Sequence, residues 1–396
     1  MKYKFETKTI GDCCDIIKKS IHPEKGQVYT CFSLPAFDNS NTPEILNGEE
    51  IKSSKFVLDE NTILFNKLNP KFRRVWNIHS LEKYENTICS TEFLPLKAKA
   101  NIEQDYLYYY VSSPYFTRLM DGIRTGTSNS QQRIDWKQFL REPINVPSLP
   151  IQRKVVSLLR NIDKKIELNN AINNNLLEQA LAIYKDWFCD YALSDGILPE
   201  NWKITTIDAI SSLVTRGIAP KYDDSSDQIV LNQKCIRDHT IDISLSRRHL
   251  PKKINEKWIS KGDLLINSTG TGTLGRVAQV WFEANNMTVD SHVTIVRPKD
   301  PILQSYIGFW GLSHESEIEA QHTGSTGQTE LPRDRVKAME LPLPDEDTLS
   351  KFNELVIPMT STVISNQEEN DRLSQLRDAL LPKLMSSELD VSDIDL

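Results

Sequence analysis

The feature that most constrains the fold is an internal repeat at about half the chain length. The segment that starts at Gly126, GTSNSQQRIDWKQFLREPINVPSLPIQRKVVSLLR, has a counterpart that starts at Gly324, GSTGQTELPRDRVKAMELPLPDEDTLSKFNELV. Both pass from a Gly/Ser/Thr/Gln loop through a basic and apolar stretch to a proline-punctuated strand and then a helix. Because self-similarity at a fixed offset marks a repeat architecture, the sequence predicts two similar halves.

Other segments repeat in the same order. LLEQALAIYKDWF (176–188) matches RLSQLRDALLPKL (372–384), the layout of 51–70 matches that of 254–272, and the helical stretch 104–120 matches 302–321. Short β-rich runs separated by Asn, Gly and Pro turns fill the remainder of each half. The sequence therefore predicts an α+β fold with four segments: a domain over 1–146, a helix over 147–199, a second domain over 200–344, and a helix with an acidic tail over 345–396.

The two predicted helices carry similar heptad seams. Apolar or Asn residues recur at alternating spacings of four and three, and both seams have asparagines near the middle, such as Asn169, Asn173, Asn366 and Asn370. A buried Asn in a seam sets the register of a helix pair. We expect the helices to form an antiparallel coiled coil that holds the two domains apart, related by a pseudo-two-fold axis, although two unrelated amphipathic core helices remain an alternative.

Charge and composition narrow the class of protein. The net charge is −7, but the last 52 residues hold 4 basic and 12 acidic residues, so the rest of the chain is nearly balanced. We expect a solvated acidic tail. The six scattered cysteines form no C-x-x-C pair and are interpreted as reduced thiols. No signal-peptide or membrane-spanning pattern is found, which favours a cytoplasmic protein without membrane contact.

Two formal enzyme motifs do not fit their chemistry. Gly270-Thr-Gly-Thr-Leu-Gly275 satisfies G-x-G-x-x-G, but a predicted strand follows where a dinucleotide-binding loop needs a helix. Asn69-Pro70-Lys71-Phe72 is close to the N-P-P-[FY] loop of amino-methyltransferases, but it lacks the second proline and a glycine-rich methyl-donor loop upstream. We expect no catalytic centre, no metal site and no cofactor bound by this chain.

Polar loops in both halves carry groups suited to DNA. Asn and Gln can bond adenine, Arg can bond guanine, and Ser, Thr and Lys can reach phosphates. For any single residue a solvated loop is the simpler interpretation, so the prediction concerns the loops as groups. The candidates are Asn66, Lys67, Arg73, Arg74, Ser128, Gln131 and Arg133 in the first half, and Lys221, Tyr222, Asn232, Lys234, Asn267, Ser268, Thr269, Arg276 and Gln328 in the second.

The repeated motifs resemble the specificity subunits of Type I restriction-modification systems over essentially the whole chain. PINVPSLPIQRKVVSLLRNIDKKI is similar to the central conserved region of that family, ENDRLSQLRDALLPKLMSSEL to its C-terminal region, and NWKITTI to the entry of its second domain. The first half lacks the glycine-led opening that the second half has at Thr215–Lys221, and Ser386-Ser387-Glu388 stands where the family commonly has a glycine.

The resemblance implies a non-catalytic subunit. Two target-recognition domains would each read one half of a bipartite, asymmetric sequence in double-stranded DNA. The paired helices would act as spacer and would dock two adenine-methylation subunits, joined by two restriction subunits. S-adenosylmethionine, ATP and Mg²⁺ would then bind to the partners. Two other classes remain open: a coiled-coil scaffold with two protein-binding modules, and a stand-alone methyltransferase or nuclease.

Overall fold

The computed structural model describes residues 4–123, 132–250, 254–270, 272–324, 329–386 and 388–392. The chain divides into two compact units, Met1–Glu167 with Asn370–Leu396, and Leu168–Glu369. We call them unit 1 and unit 2. The division of the sequence into four segments stays a prediction, because the compact units cut across the two long helices.

Unit 1 contains eleven strands and five short helices among its described residues. The strands are β1 (Phe5–Thr9), β2 (Cys14–Ile16), β3 (Ser20–Ile21), β4 (Val28–Phe32), β5 (Glu44–Asn47), β6 (Lys55–Val57), β7 (Thr62–Asn66), β8 (Val75–Ile78), β9 (Ile88–Ser90), β10 (Phe93–Ala98) and β11 (Pro143–Pro147). The helices are α1 (Ile10–Cys13), α2 (Leu34–Ser40), α3 (Gln104–Val111), α4 (Pro114–Gly122) and α5 (Trp136–Arg141).

After α6 (Leu149–Phe188), the described part of unit 2 has a similar succession of elements, without an α-helix in the place of α2. Its strands are β12 (Lys203–Thr206), β13 (Ser211–Arg216), β14 (Ile229–Leu231), β15 (Ile236–Arg237), β16 (Thr240–Ile241), β17 (Arg247–Arg248), β18 (Leu264–Asn267), β19 (Val277–Gln279), β20 (Met287–Val289), β21 (Val293–Pro298) and β22 (Glu340–Leu343). Its helices are α7 (Ile207–Ile210), α8 (Gln304–Ser313), α9 (Glu315–Ala320) and α10 (Arg333–Lys337), and α11 (Glu346–Met385) closes the chain.

The four-stranded sheets of the two units share one strand order, whereas among the described residues the second sheet has five strands in unit 1 and three in unit 2. An antiparallel sheet has the order β2-β10-β7-β8 in unit 1 and β13-β21-β18-β19 in unit 2. The second sheet of each unit contains one parallel pair of strands, β4 with β9 in unit 1 and β14 with β20 in unit 2. In each unit the first and last strands along the chain pair with each other, β1 with β11 and β12 with β22. The predicted internal repeat and α+β class are confirmed.

One inner strand of each four-stranded antiparallel sheet, β7 in unit 1 and β18 in unit 2, is buried on both faces. In β7, Ile63 and Phe65 pack into one apolar cluster, whereas Leu64 packs into another on the opposite face. In β18, Leu264 and Ile266 face one cluster and Leu265 faces another. Since successive side chains of a strand point to opposite faces, these continuous apolar runs indicate a strand covered on both sides.

Two predicted helices are each divided in two. The stretch 104–120 breaks at Ser112 and Ser113, because Ser113 Oγ accepts a hydrogen bond from Phe116 N and Pro114 starts a new first turn. The stretch 302–321 divides at His314 into α8 and α9. The tyrosines of the first stretch, Tyr106, Tyr109 and Tyr110, are buried in the core.

The two 40-residue helices pair antiparallel within each unit. In unit 1, Lys154 Nζ donates to Ser392 O, and Arg377 Nη1 donates to Asp163 Oδ1. Residues later in α6 therefore contact residues earlier in the C-terminal segment, as an antiparallel pair requires. In unit 2, Asn169 Nδ2 donates to Glu369 Oε2 at 2.7 Å, and Asn366 Nδ2 donates to Asn173 Oδ1 at 2.8 Å. Asn169 and Asn173 are only 1% and 6% exposed, which confirms the predicted central asparagines of the seam.

Three further expectations concern the described residues as a group. All six cysteines are free thiols, and burial raises the pKa of Cys13 to about 11 and of Cys14 to about 12. Within the described ranges no cluster of His, Cys, Asp and Glu side chains has the arrangement of a metal site. No described helix is both long and apolar enough to cross a bilayer.

Candidate nucleic-acid interface

In unit 1 two predicted loops form one surface. The loop between β7 and β8 lies against the segment that precedes α5, through a bridge between Leu68 and Arg133. Asn69 N donates to Gln132 O at 2.8 Å, and Ile134 N donates to Lys67 O at 3.0 Å. Candidates that are more than 60 residues apart in the sequence therefore lie side by side.

Carboxylates orient the guanidinium groups of this surface. Arg133 donates two hydrogen bonds to Glu92, at 3.2 and 2.8 Å, and the bond to Glu92 raises the pKa of the guanidinium. Arg74 makes a bidentate pair with Asp38, with both distances 2.7 Å. Bidentate pairing fixes the plane of a guanidinium, so these two side chains are held in defined directions before any ligand arrives.

Arg73 and Phe72 lie at the exposed part of the same loop. Arg73 Nη2 is 3.4 Å from Asp378 Oδ2, and the Phe72 ring is covered by the Arg74 guanidinium at 4.9 Å and the Lys71 ammonium at 5.0 Å. Phe72 and Lys71 were not among the predicted site residues, because a single apolar residue or a single lysine in a basic loop has no periodic signal.

Unit 2 has an equivalent loop pair. Thr269, in the loop between β18 and β19, forms a bridge with Glu330, in the segment before α10. The turn around Gln233 packs against the β18–β19 loop, since Asn267 Nδ2 donates to Gln233 O at 3.0 Å and Thr269 Oγ1 to Gln233 Oε1 at 3.3 Å. The structure thus brings Asn232, Lys234, Asn267, Ser268 and Thr269 into one region.

Two residues of this region were not selected from the sequence. His292 Nδ1 lies 2.7 Å from Thr269 Oγ1, and the Arg216 guanidinium reaches Glu330 and donates to Leu331 O at 2.7 Å. Arg276 is partly exposed, and its backbone oxygen accepts from Asn267 N at 2.9 Å. These contacts join side chains from distant strands, which no local pattern indicates.

The glycine-rich loop after Thr269 has a steric role. Gly270 has φ of +100°, and a Cβ there would lie 2.4 Å from Thr273 Oγ1 and 2.8 Å from Gln233 Oε1. Only glycine fits such a conformation readily. Strand β19 follows the loop, so the expected absence of a helix after this motif is confirmed and the motif lacks the geometry of a dinucleotide-binding turn.

Some candidates are engaged inside the protein. Asn66 is buried, and its side chain bonds both the N and the O of Leu68. Asn267 and Ser268 are also buried, and Ser268 Oγ lies 2.6 Å from Thr294 Oγ1. Asn232 caps the turn of Gln233–Cys235 through a bond from Lys234 N. These residues shape the loops, which leaves the exposed side chains around them for a ligand.

Lys221 and Tyr222 belong to another loop of unit 2. Tyr222 is exposed and forms a bridge with His249, and the Arg247 guanidinium lies 3.4 Å from the centre of its ring. Lys221 O accepts from Leu250 N at 2.8 Å. Arg247 was missed in the sequence because its partner is 25 residues away. Ser128, Gln131 and Gln328 lie outside the described residues.

Comparison with known proteins finds sequences similar to this chain in one family. Residues 2–178 match the family model described as a Type I restriction modification DNA specificity domain. The Type I restriction enzyme HindI specificity subunit of Haemophilus influenzae is 22% identical, covering 90% of this chain and 96% of that protein. The MjaIX specificity subunit of Methanocaldococcus jannaschii is 23% identical, covering 75% of this chain and 71% of its own length.

A solved structure shares the fold. The crystal structure of a Type I restriction-modification system S subunit from M. genitalium superposes with a TM-score of 0.54 at 15% identity, covering 96% of each chain. The resemblance predicted from the repeated motifs is confirmed by these comparisons.

Proposed function

We propose that this chain is the non-catalytic specificity subunit of a Type I restriction-modification complex, in which each unit reads one half of a bipartite, asymmetric DNA target. The observation that carries the proposal is the pair of equivalent loop surfaces. Both are built on the same frame, after β7 in unit 1 and after β18 in unit 2, yet they present different side chains. Independent readers of two different half-sites require a common frame and unlike contacts.

The chemistry of each surface supports DNA as the ligand. In unit 1 the solvent-accessible groups are mainly cations, namely the partly buried Lys67 and the exposed Lys71, Arg73 and Arg133, which suit phosphates and guanine. In unit 2 the accessible groups are mainly the hydroxyl and amide groups of the partly buried Thr269 and Gln233, with the exposed Lys234 and the partly buried Arg276 beside them. In the guanidinium–carboxylate pairs of unit 1, a DNA phosphate can replace the carboxylate as the partner of the arginine with little movement of the arginine.

The proposal includes partners. Two methylation subunits that carry S-adenosylmethionine would dock on the paired helices, and restriction subunits that carry ATP and Mg²⁺ would join them. Adenine must leave the base stack to be methylated, so a partner would flip it while this chain holds the duplex.

A methylation map of the host genome tests the proposal directly. Deleting the gene is expected to abolish adenine methylation at one bipartite motif, and restoring the gene is expected to bring it back. An unchanged map in a strain that expresses the methylation subunits would reject the proposal. If the chain instead captured another protein and showed no salt-dependent duplex binding, the alternative of a protein-binding scaffold would stand.

The length of the helix pair is expected to set the gap between the half-sites. One heptad inserted after Asn173 in α6, together with one before Asn366 in α11, lengthens both helices and keeps their seam in register. Seven residues add about 10 Å of helix, or about three base steps at roughly 3.4 Å each. We expect the methylated motif to keep both half-sequences and to gain about three base pairs of gap, measured by single-molecule sequencing.

Four residues inserted into α6 alone serve as the contrasting variant. They shift one seam against the other and separate Asn173 from Asn366, so this variant should lose methylation altogether. A heptad variant that methylates with the original gap would refute the role of the helices as spacer.

A further inference from the structure

Unit 1 has a second basic surface, which adjoins the predicted loops and shares Lys67 with them. Its members are Lys18, Lys67, Trp136 and Lys137, and we call it the Trp136 surface. Lys18 follows β2, Lys67 follows β7, and Trp136 with Lys137 begins α5, so three separate segments meet there. Of these four residues only Lys67 was predicted from the sequence.

An exposed tryptophan lies at its centre. Trp136 is 41% exposed, although large aromatic side chains usually lie inside a protein. The Lys18 ammonium lies 4.0 Å from the centre of its ring and the Lys137 ammonium 5.8 Å. Both distances are within the range of cation–π attraction, so one ring holds two positive charges close together.

These charges lack acidic partners within the described part of the chain. In that part of the chain, no carboxylate comes within 4.0 Å of the ammonium groups of Lys18, Lys67 or Lys137. By contrast, the loop arginines Arg73, Arg74 and Arg133 each form an ion pair with a carboxylate. Burial, and then the charge of Lys67, lowers the pKa of Lys18. Three like charges without compensation favour a ligand that carries several negative charges.

The surface continues into the loop surface of unit 1. Lys67 O accepts the hydrogen bond from Ile134 N, which directly follows Arg133 and lies two residues before Trp136. The internal repeat provides an independent parallel. Helix α10 of unit 2 occupies the place of α5, and it begins with the exposed residue Arg333 where α5 begins with Trp136. An exposed side chain able to contact the DNA backbone, Trp136 or Arg333, therefore begins the equivalent helix in both halves.

We infer that the Trp136 surface binds the sugar-phosphate backbone of duplex DNA beside the half-site. Lys18 and Lys137 contact phosphates, and the Trp136 ring keeps the two ammonium groups beside each other and packs against a deoxyribose. These contacts are independent of base sequence, so they strengthen binding to all duplexes and fix the position of the loops on the target. The inference rests on the proposed function and adds a second, non-specific contact to it.

The salt dependence of duplex binding tests this inference. The full chain, assembled with its methylation subunits, is titrated with a fluorescent duplex that contains the methylated motif and with one that lacks it, over a series of salt concentrations. Each phosphate contact contributes about 0.9 to the slope of log K against log salt. The double variant Lys18→Gln, Lys137→Gln is expected to reduce the slope by roughly 1.8 on both duplexes and to leave the methylated motif unchanged. Trp136→Ala should weaken binding to both duplexes by a similar factor.

Matched variants separate charge from folding. Lys18→Arg keeps the cation and should retain the slope, and Lys52→Gln, which removes an exposed lysine elsewhere in unit 1, should not alter it. Thermal unfolding of each variant checks that the chain is intact.

Two outcomes would overturn the inference. One is an unchanged slope in the double variant, and the other is a loss of methylation-subunit assembly with normal duplex binding, which would make the surface a protein interface. If the unaltered complex binds no duplex at all, the proposed function itself fails, so the two failures are distinguishable.

Discussion

Replacing Arg297 with methionine is expected to lower the free energy of unfolding by about 3–5 kcal/mol, because it leaves a buried carboxylate without its partner. Asp263 is 1% exposed, and Arg297 donates to both of its oxygens at 2.8 and 2.7 Å. The guanidinium also donates to Trp258 O at 2.6 Å. Burial raises the pKa of Asp263 even with Arg297 against it, which indicates how unfavourable the charge is at this position.

Urea unfolding of the full chain measures this effect, and hydrogen exchange in β18 and β21 assigns it to unit 2. Lys261→Met is the matched control, because it breaks an exposed pair with Glu283 at 3.5 Å that should contribute less than about 1 kcal/mol. The double variant Arg297→Met, Asp263→Leu removes both charges and should recover much of the loss. An Arg297→Met chain as stable as the Lys261→Met control would show that the buried pair does not hold the two strands together.

Phe352→Ala is expected to cost about 3–5 kcal/mol, because it opens a cavity where the helix pair packs on the core of unit 2. Phe352 is fully buried in α11. Its ring centre lies 5.0 Å from that of Phe188 and 6.1 Å from that of Tyr184, both on α6, and 5.8 Å from that of Phe309 on α8. One side chain therefore joins both long helices to the domain behind them.

The measurement is again urea unfolding, with hydrogen exchange in 346–369 as the local readout. Leu355→Ala is the control in the same turn of α11, since Leu355 is exposed and its truncation should change stability by less than about 0.5 kcal/mol. Phe352→Leu leaves a smaller gap and should fall between the two. If Phe352→Ala matched Leu355→Ala, the aromatic cluster would not be what fastens α11 to unit 2.

The sequence predicted the frame well because its signals are local or periodic. The heptad spacing and central asparagines of α6 and α11 indicated an antiparallel pair, and Asn173 does bond Asn366. The proline-punctuated strands before these helices became β11 and β22. Helix limits were less predictable: α6 begins at Leu149, with Pro150 in its first turn, and the stretch 104–120 is interrupted by the cap at Ser113.

The candidate site was predicted less completely. Loops rich in Asn, Gln, Ser and Arg could be identified from composition, and the structure places the β7–β8 loop against the segment of Arg133. Which side chains stay exposed could not be predicted, because an Asn that closes a strand and an Asn that faces solvent have the same local pattern. Asn66 and Asn267 bond backbone groups inside their units, whereas Lys18 and Trp136, absent from the predicted set, face outward.

The internal repeat at half the chain length could be determined from the sequence alone, because the order and spacing of repeated segments can be recognised without knowing which residues are in contact. The sequence also determined the two long helices and the family resemblance. Only the tertiary structure decided which residues meet. Arg133 and Glu92 are 41 residues apart, and Lys18 and Trp136 come from opposite ends of the first domain. Such pairs depend on sheet register and loop closure, and their energies arise only when the chain has folded.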